Sequence, residues 1–526
     1  MPTRLIVFVA ITAVLAAALW PAFQSPGPPE DEGIALVYPE MFMKGRLPYR
    51  DFETIYGPGN LLVLSSAYGL FGDNIFVERA IGLIYRILIL LGVVAIASRF
   101  GVILGLASGV IVAIFLAGTD LFANTWFAAA AFALIGIYFA NKRESPWLCG
   151  VSGALFAAAV LCRCDIAPAI AVAYLPLAIA MNRKSLIGFL IGVAGGLLPL
   201  VWFGALVGFG QLVHSLFIFP VLELSSSAYF PISSAPPALR LFFYLAIIVS
   251  GLNLLAALVA NRRRLDSSRL FLAAALFGAC SIYYALSRFD SSHVVNAIFV
   301  AVSLLPVSLQ VLMSIKFTNS FATSIIAGAL ALAAVHIAYF PAARCFYRNL
   351  RVTLRIDEPR EAESGQPLEP GDKGFFIRNG DRSFPLGRAS VANVAQALVT
   401  ELGRVSAPHQ KLLVGPGDFR RTVGADTFFY HLLPSLDPAT YYLEMNPGST
   451  NAPGSRLADD VANADWLILD RSWDNISEPN RSSEFGSDAP NQIVREQFDR
   501  WAEFGPYLLM RSQRLRNSLQ LPPSEQ

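Results

Sequence analysis

The stretch PEDEGIALVYPEMFMKGRLPYRDFETIYGPG, Pro29 to Gly59, decides how the whole chain is interpreted. It follows an apolar run at about 5–22 that is long enough to cross a bilayer. It is rich in carboxylates and cations, and it ends in the turn Gly57-Pro58-Gly59. We interpret it as a candidate catalytic loop that lies against the outer membrane surface, with the remaining chain as its scaffold.

The composition divides the chain into two parts. Of its 526 residues, 55% are hydrophobic and only 15% are charged, whereas soluble chains carry about 25% charged residues. Residues 1–340 are apolar runs separated by short charged loops, and residues 345–526 have an ordinary soluble composition. This predicts a polytopic α-helical membrane domain, 1–343, followed by a soluble α/β domain, 344–526. The sequence has no basic stripe with interleaved aromatics, which indicates that nucleic acid is not a partner.

Eleven apolar runs predict about eleven transmembrane helices in the lipid bilayer. Their approximate bounds are 5–22, 75–97, 101–118, 121–140, 147–162, 166–181, 186–208, 239–260, 270–286, 294–313 and 319–340. Basic residues fall in alternate gaps between the runs, and the positive-inside rule places those gaps in the cytoplasm. We therefore expect a multi-pass protein of the cytoplasmic (inner) membrane with a cytoplasmic N-terminus. The first loop, 23–74, and the C-terminal domain are then extracytoplasmic. The basic residues are Arg4, Arg99, Lys142, Arg143, Arg183, Lys184, Arg262 to Arg264, Arg269 and Lys316.

Three charged residues lie within or beside the apolar runs. Arg163 and Asp165 interrupt 147–181, and a single span holding both would cost about 2.5–3.5 kcal/mol per charge. Two short helices that meet outside the membrane at this Arg-Cys-Asp turn avoid the cost. Arg86 lies near the middle of the second span, where an arginine normally faces the bundle interior and is paired. An ion pair with Asp165 or Asp120, or a role near a substrate phosphate, would explain it.

The first loop contains a predicted helix of its own. Apolar residues at helical spacing predict an amphipathic helix over 33–44 that lies on the membrane surface and ends at Lys44 and Gly45. The apolar piece Asn60 to Phe71 is too short to span comfortably and is expected at the surface as well. Asp31 and Glu32 stand at the helix start, where negative charge is favourable by about 0.3–1 kcal/mol. Helix capping and catalysis are therefore both open for this acidic pair. The apolar residues are Ile34, Val37, Tyr38, Met41 and Phe42.

The soluble part alternates strand-like and helix-like segments, which predicts a small α/β layer fold. Ala389 to Val405 is predicted as a helix. Gly415-Pro416-Gly417-Asp418 resembles a phosphate loop only loosely, because it lacks the Lys-Ser/Thr pair of that motif, and a plain turn is the simpler interpretation. The predicted strands are Phe375 to Arg378, Lys411 to Val414, Tyr441 to Met445 and Trp466 to Asp470.

The segments between spans that are assigned to the outside contain the charged residues that could form a site. In a compact bundle these residues converge on one cavity at the outer face. Carboxylates together with several cations suit a substrate that is both a sugar and a phosphate, such as a lipid-phosphate sugar donor. The residues are Asp31, Glu32, Lys44, Arg46, Arg50, Asp51, Glu53, Arg163, Asp165, His214, Glu223, Arg288, Asp290 and His293.

The reaction such a substrate undergoes needs few protein groups. A glycosidase uses two carboxylates, because one of them must protonate its leaving alcohol. A phosphate is already a good leaving group and requires positive charge rather than a general acid. One carboxylate then suffices, as the base for the acceptor hydroxyl. An acidic loop among arginines is what sugar transfer from a lipid phosphate requires.

Several motifs resemble the GT-C superfamily of membrane glycosyltransferases, of the protein mannosyltransferase and aminoarabinose transferase type. The first loop carries the moderately specific part of the resemblance, which continues into the next helix. Weaker similarities lie at Leu161 to Asp165, which looks like the Arg-x-Asp turn of the family, and at Ser287 to His293. The first-loop residues are Asp31-Glu32-Gly33, Gly45 to Phe52, Tyr56 to Gly59, Phe71-Gly72 and Arg79.

The resemblance implies an inverting transfer from a polyprenyl-phosphate sugar to an extracytoplasmic acceptor, which could be a glycan, a lipid or a protein. It implies Asp31 as the base, with Glu32 assisting or holding a divalent metal, Mg or Mn, together with Asp31. Arg50, Arg163 and Arg288 are our candidates for the donor phosphate. The loop 209–238 would cover the donor. The candidate cavity residues are Asp51, Asp165, His214, Glu223, Tyr229, Asp290 and His293, together with Phe230 in the covering loop.

The same residues also have simpler structural interpretations. Arg163 with Asp165, and Arg288 with Asp290, could be ion pairs that shape turns, and the histidines could be interfacial polar residues. The α/β tail departs from protein mannosyltransferases, which carry a β-trefoil module, and this weakens any case for a protein acceptor. A transporter or flippase of a lipid-linked glycan would show internal repeats and mid-membrane charges. A non-catalytic membrane anchor would leave the external charge unexplained.

Overall fold

The computed structural model describes residues 2–224, 229–265, 267–315, 320–362, 366–476 and 486–520. Lys316 and part of the predicted covering loop lie outside these residues. The chain forms a helical membrane domain that is followed by a mixed α/β domain. This confirms the predicted fold class.

Each predicted span coincides with one helix or with two consecutive ones. Six of these elements are both long and apolar enough to cross a membrane, and the others are shorter apolar helices. Ser291–Met313 is largely buried within the bundle, whereas Arg183–Val207 is largely exposed, which suits a helix facing lipid. The first six are α1 (Pro2–Leu19), α4 (Ile75–Ala97), α5 (Val102–Ala117), α6 (Thr125–Ala140), α7 (Pro146–Cys162) and α8 (Ala167–Ala178); the rest are Arg183–Val207, Pro237–Arg262, Ser268–Ser287, Ser291–Met313 and Ser320–Ala338.

The first loop forms two helices, α2 (Asp31–Met43) and α3 (Pro58–Phe71). The predicted helix is confirmed, and it ends as expected at Lys44, with Gly45 at φ +85°. Its expected place on the membrane surface is wrong. The apolar residues of α2, Tyr38 among them, are buried against α3 and the short helix Phe428–Leu432 of the α/β domain.

The sequence predicts that Arg86 forms an ion pair with Asp165 or Asp120, or lies near a substrate phosphate. Its guanidinium instead donates to the carbonyl oxygens of Gly82 at 2.9 Å and of the turn that begins at Thr119. It also stacks at 4.4 Å from the ring of Phe127. Backbone carbonyls, which no sequence pattern marks, therefore satisfy this mid-membrane charge.

The strands of the α/β domain are β1 (Phe375–Asn379), β2 (Arg382–Leu386), β3 (Lys411–Pro416), β4 (Asp437–Pro438), β5 (Trp466–Asp470), β6 (Phe498–Phe504) and β7 (Tyr507–Ser512). Five of them form a sheet of order β4-β3-β5-β7-β6, and β1 and β2 form a separate hairpin. β3 is parallel to β4 and β5, whereas β7 is antiparallel to β5 and β6. The helix Ala389–Val405 and three of the predicted strands are confirmed. The β6–β7 hairpin was not predicted.

The strand predicted at Tyr441 to Met445 is wrong. This segment leaves the sheet edge and crosses to the first loop instead. The amide of Glu53 donates to the carbonyl of Tyr441 at 2.8 Å, and the Tyr441 hydroxyl donates to the carbonyl of Tyr49 at 3.1 Å. Tyr442 and Met445 are buried in the core of the α/β domain, while Tyr441 makes the contact with the first loop.

A buried ion network also joins the two domains. Glu40 of α2 accepts hydrogen bonds from Arg382 of β2 at 2.7 Å and contacts Nδ1 of His431 at 2.5 Å. Arg382 also reaches Asp73, at the end of the first loop. Because Glu40 and His431 are buried, this network fixes α2 against the α/β domain.

Replacing Arg382 should weaken this junction. Arg382→Ala leaves the Glu40 carboxylate buried without its main countercharge, which costs about 3 kcal/mol or more of the free energy of unfolding. Chemical unfolding in detergent micelles measures the effect. Arg404→Ala, which breaks an exposed pair with Glu401, should leave stability unchanged. Equal stabilities of the two variants would refute the structural role of the network.

Candidate active site

A cavity of about 600 Å³ lies where the first loop, the membrane helices and the α/β domain meet. Its wall combines polar turns of the bundle, an apolar helix from the predicted covering loop and two segments of the α/β domain. The lining residues are Glu30, Asp31, Ile55, Tyr56, Arg163, Asp165, Leu216, Phe217, Pro220, Val221, Leu224, Tyr229, Tyr283, Tyr284, Ser287, Arg288, Asp290, Ser292, His293, Val423, Glu444, Asn446 and Pro447.

Asp31 reaches this cavity from the first turn of α2. The α/β domain holds that turn in place, because the hydroxyl of Thr427 donates to the carbonyls of Pro29 at 3.2 Å and Glu30 at 2.8 Å. Gly33 permits the approach, since a Cβ there would lie 2.1 Å from the Thr427 hydroxyl. The position of Asp31 thus depends on both domains.

The carboxylate of Asp31 accepts no hydrogen bond from any residue that the structure describes. It faces the open cavity and so has accessible surface, but the surrounding walls still remove it from bulk water. This desolvation raises the pKa of Asp31, and the nearby His293 and Arg288 oppose the rise. A carboxylate with free oxygens and a raised pKa is suited to accept a proton.

The Arg163 side chain enters the cavity at the turn between α7 and α8, as the sequence predicts. Its guanidinium forms a bidentate ion pair with the Asp165 carboxylate, with nitrogen–oxygen distances of 2.9 and 2.7 Å. Its guanidinium lies 4.8 Å from the ring of Tyr284 and 5.5 Å from that of Tyr56. The ion pair and the aromatic rings hold the cation in a defined place while it lines the cavity.

A second cation, Arg288, lies on the same cavity wall, over the ring of Phe230 at 4.0 Å. Asp290 caps the helix Ser291–Ser303 by accepting from the amide of His293 at 2.9 Å, and it also contacts the His293 ring. Desolvation raises the pKa of Asp290, but the contacts with His293 and Arg288 outweigh it and hold that pKa below its usual value. Asp290 is therefore ionised, and it holds the side chains of His293 and Arg288 in place.

The predicted covering loop contains a π-helix, His214–Glu223. Its cavity side is apolar, and Phe217 and Val221 also remain 48% and 58% exposed. His214 and Glu223 pair with each other at 2.9 Å and do not line the cavity, whereas Tyr229 does.

Three other candidates lie outside the cavity. Glu32 is fully buried, and Arg79 of α4 donates to its two oxygens at 2.6 and 2.8 Å. The Arg50 side chain is 54% exposed and bonds its neighbour Asp51. The expected metal pair does not fit this arrangement, because Glu32 is fully buried outside the cavity and its charge is neutralised by Arg79. Among the described residues, no group of three or more His, Cys, Asp or Glu could hold a metal ion.

Sequence reasoning missed Glu444 and Asn446 because it placed the first of them within a strand. Glu444 lines the cavity and accepts a hydrogen bond from the Tyr38 hydroxyl at 2.7 Å. Desolvation raises the pKa of Glu444 to about 7. It likewise raises that of Glu53, which faces Glu444, to about 8. The signal that could have found them is the polar run Glu444-Met445-Asn446 directly after two tyrosines.

The glycines of the Gly57-Pro58-Gly59 turn fit the first loop against the end of α7. A Cβ on Gly57 would lie 2.1 Å from the carbonyl oxygen of Leu161, and one on Gly59 would lie 2.8 Å from the amide of Cys162. This close approach brings Tyr56 beside Arg163.

Gly57→Ala should therefore force the loop and α7 apart and lower stability by about 1–3 kcal/mol. The thermal unfolding midpoint in detergent measures the change. Gly69→Ala is the matched control: its Cβ meets nothing within 4 Å, so it should be neutral or slightly stabilising within α3. A Gly57→Ala protein as stable as this control would contradict the packing role.

The carboxyls of Glu53 and Glu444 predict a pH effect on stability. In the folded protein the pKa is about 8 for Glu53 and about 7 for Glu444, and both lie above the ordinary value of 4.5. Between pH 4.5 and these folded pKa values, the folded state therefore binds more protons than the unfolded state. The free energy of unfolding should fall by about 1.4 kcal/mol per pH unit for each such carboxyl as the pH rises toward its folded pKa. Denaturant unfolding between pH 5.5 and 8 tests this, and Glu53→Gln should reduce the slope. A stability that does not change over this range would refute the raised pKa values.

No protein-family model and no curated protein sequence matches the chain. Solved structures do match. ArnT from Cupriavidus metallidurans bound to undecaprenyl phosphate has a TM-score of 0.56 and 14% identity, over 96% of this chain and 97% of that one. Its apo state has a TM-score of 0.55 and 13% identity over the same shares. The oligosaccharyltransferase of Archaeoglobus fulgidus, tethered with an acceptor peptide, has a TM-score of 0.48 and 11% identity, over 99% of this chain and 75% of that one.

The ArnT match extends through both domains, so the chain shares the overall fold of that protein. At this level of identity the likeness is one of fold.

Proposed function

We propose that the protein is an inverting membrane glycosyltransferase, which moves a sugar from a polyprenyl-phosphate donor to an acceptor outside the cytoplasm. One observation carries the proposal. A carboxylate without hydrogen-bond partners among the described residues, Asp31, shares a cavity with two held arginines, Arg163 and Arg288. The fold supports it as well, since ArnT, which has the same fold, was solved with undecaprenyl phosphate bound.

The reaction follows from the leaving group. Asp31 takes the proton from the acceptor hydroxyl, and the acceptor oxygen attacks the anomeric carbon from the side opposite to the phosphate. The bond between that carbon and the phosphate oxygen breaks, and the phosphate keeps the electron pair. Arg163 and Arg288 stabilise the charge that develops there, so a general acid is not required. Attack from the opposite side inverts the anomeric configuration.

The apolar wall suggests how the donor enters. A polyprenyl chain remains in the membrane while its phosphate must reach the arginines. Phe217 and Val221 of the π-helix line the cavity and are also about half exposed, so we place the polyprenyl chain of the donor along these two side chains. In this proposal the protein resides in the cytoplasmic (inner) membrane, with the cavity on the extracytoplasmic side. The acceptor is a glycan, a lipid or a protein.

Transport of a lipid-linked glycan was the main alternative. The sequence feature that favours transport is the mid-membrane Arg86. The backbone carbonyls around Arg86 give this charge a structural role, so the site is better explained by transfer than by transport.

Asp31→Asn tests the proposed base. It keeps the shape of the side chain but removes its capacity to accept a proton, so transfer should fall about 100-fold or more. The measurement is loss of label from a panel of radiolabelled undecaprenyl-phosphate sugars in membranes that contain the protein. Asp51→Asn, the same change at the exposed ion pair of the same loop, should leave transfer unchanged. A folded Asp31→Asn protein with wild-type activity would exclude Asp31 as the base.

A further inference from the structure

We propose that Glu444 and Asn446, which the α/β domain contributes to the cavity, bind the acceptor and select one that is rich in hydroxyl groups, as carbohydrates are. This inference rests on the proposed function, because it assigns the second substrate of the same site. The α/β domain then contributes to the choice of acceptor.

The position of Glu444 is fixed from two sides. The segment that carries it is bonded to the first loop through the amide of Glu53. The hydroxyl of Tyr38 donates to the Glu444 carboxyl at 2.7 Å. Tyr38 comes seven residues after Asp31 on α2, hence on the same helix face and about 10 Å further along the axis. Glu444 and Asp31 line the same cavity.

The cations of the cavity come from one part of the chain only. The bundle turns supply Arg163, Arg288 and His293 together with Asp165 and Asp290, whereas the α/β domain supplies Glu444 and Asn446 and, among its described residues, no cation. The phosphate must lie against the arginines, and the acceptor must attack from the side opposite to the phosphate. We assign the side that the α/β domain lines to the acceptor, because the described part of that domain supplies no cation for the phosphate.

The chemistry of this side suits hydroxyl groups. One oxygen of Glu444 accepts from Tyr38, and the other accepts from the amide of Asn446 at 3.1 Å. Each carboxyl oxygen has two lone pairs, so both can accept a further bond from a ligand. A pKa of about 7 makes the group partly neutral at neutral pH, which favours polyols over cationic acceptors.

An acceptor without the matching hydroxyls would leave these polar groups without partners. Sites built to hydrogen-bond a hydroxyl reject analogues that lack it far more strongly than apolar pockets reject a missing methylene. Glu444 should therefore act on the choice of acceptor and leave the binding of the donor unaffected.

The test uses the full-length protein in lipid nanodiscs with the same panel of labelled undecaprenyl-phosphate sugars. Octyl glucoside and octanol are the acceptors, which share a chain but differ in hydroxyl content. The wild type should prefer octyl glucoside. Glu444→Gln should reduce that preference about 10-fold by raising the acceptor KM, with the donor KM unchanged, and Asn446→Ala should act in the same direction. Glu496→Gln, an exposed change in the same domain, is the control.

The outcomes separate the two proposals. If the wild type consumes no donor, the proposed function fails and this inference fails with it. If the wild type transfers sugar but neither folded variant changes the preference between acceptors, only this inference fails. A rise in the donor KM alone also overturns it. The thermal unfolding midpoint of each variant identifies loss of folding.

Discussion

The site depends on the docking of α2 against the α/β domain. Three contacts along this one helix hold it: Thr427 at its first turn, Glu444 bonded to Tyr38 in its middle, and the Arg382 network at Glu40. Each replaces water around buried polar groups by fixed partners, which is favourable only while all partners are present. The direction of Asp31 is therefore set by a domain that lies several hundred residues later in the chain.

The same docking distinguishes Asp31 from the other carboxyls of the cavity. Asp165, Asp290 and Glu444 all accept hydrogen bonds, whereas the Asp31 carboxylate accepts none from the described residues. Desolvation raises the pKa of Asp31, and the cations opposite keep that rise limited. A carboxylate in this state can take a proton from a hydroxyl and still be ionised beforehand.

Much of the fold could be predicted from the sequence, because bilayer-length apolar runs and alternating basic gaps are strong local signals. The turn at Arg163 and the helix α2 followed from charge cost and spacing. The burial of α2, the carbonyl partners of Arg86 and the role of Glu444 could not be predicted, because they depend on which surfaces meet. Tyr441 to Met445 has the composition of a strand, and only the position of the first loop makes it an interdomain contact.

The fold gives the adjacent carboxylates of the acidic triplet Glu30-Asp31-Glu32 different surroundings. Successive residues on a helix point about 100° apart, so adjacent carboxylates cannot share one environment. Arg79 binds both oxygens of Glu32 and thereby fixes the rotation of α2 relative to α4. With that rotation fixed, Asp31 is turned toward the cavity. The ion pair of Glu32 is thus a cause of the exposure of Asp31, and a resemblance in sequence alone gives no physical reason to distinguish the two.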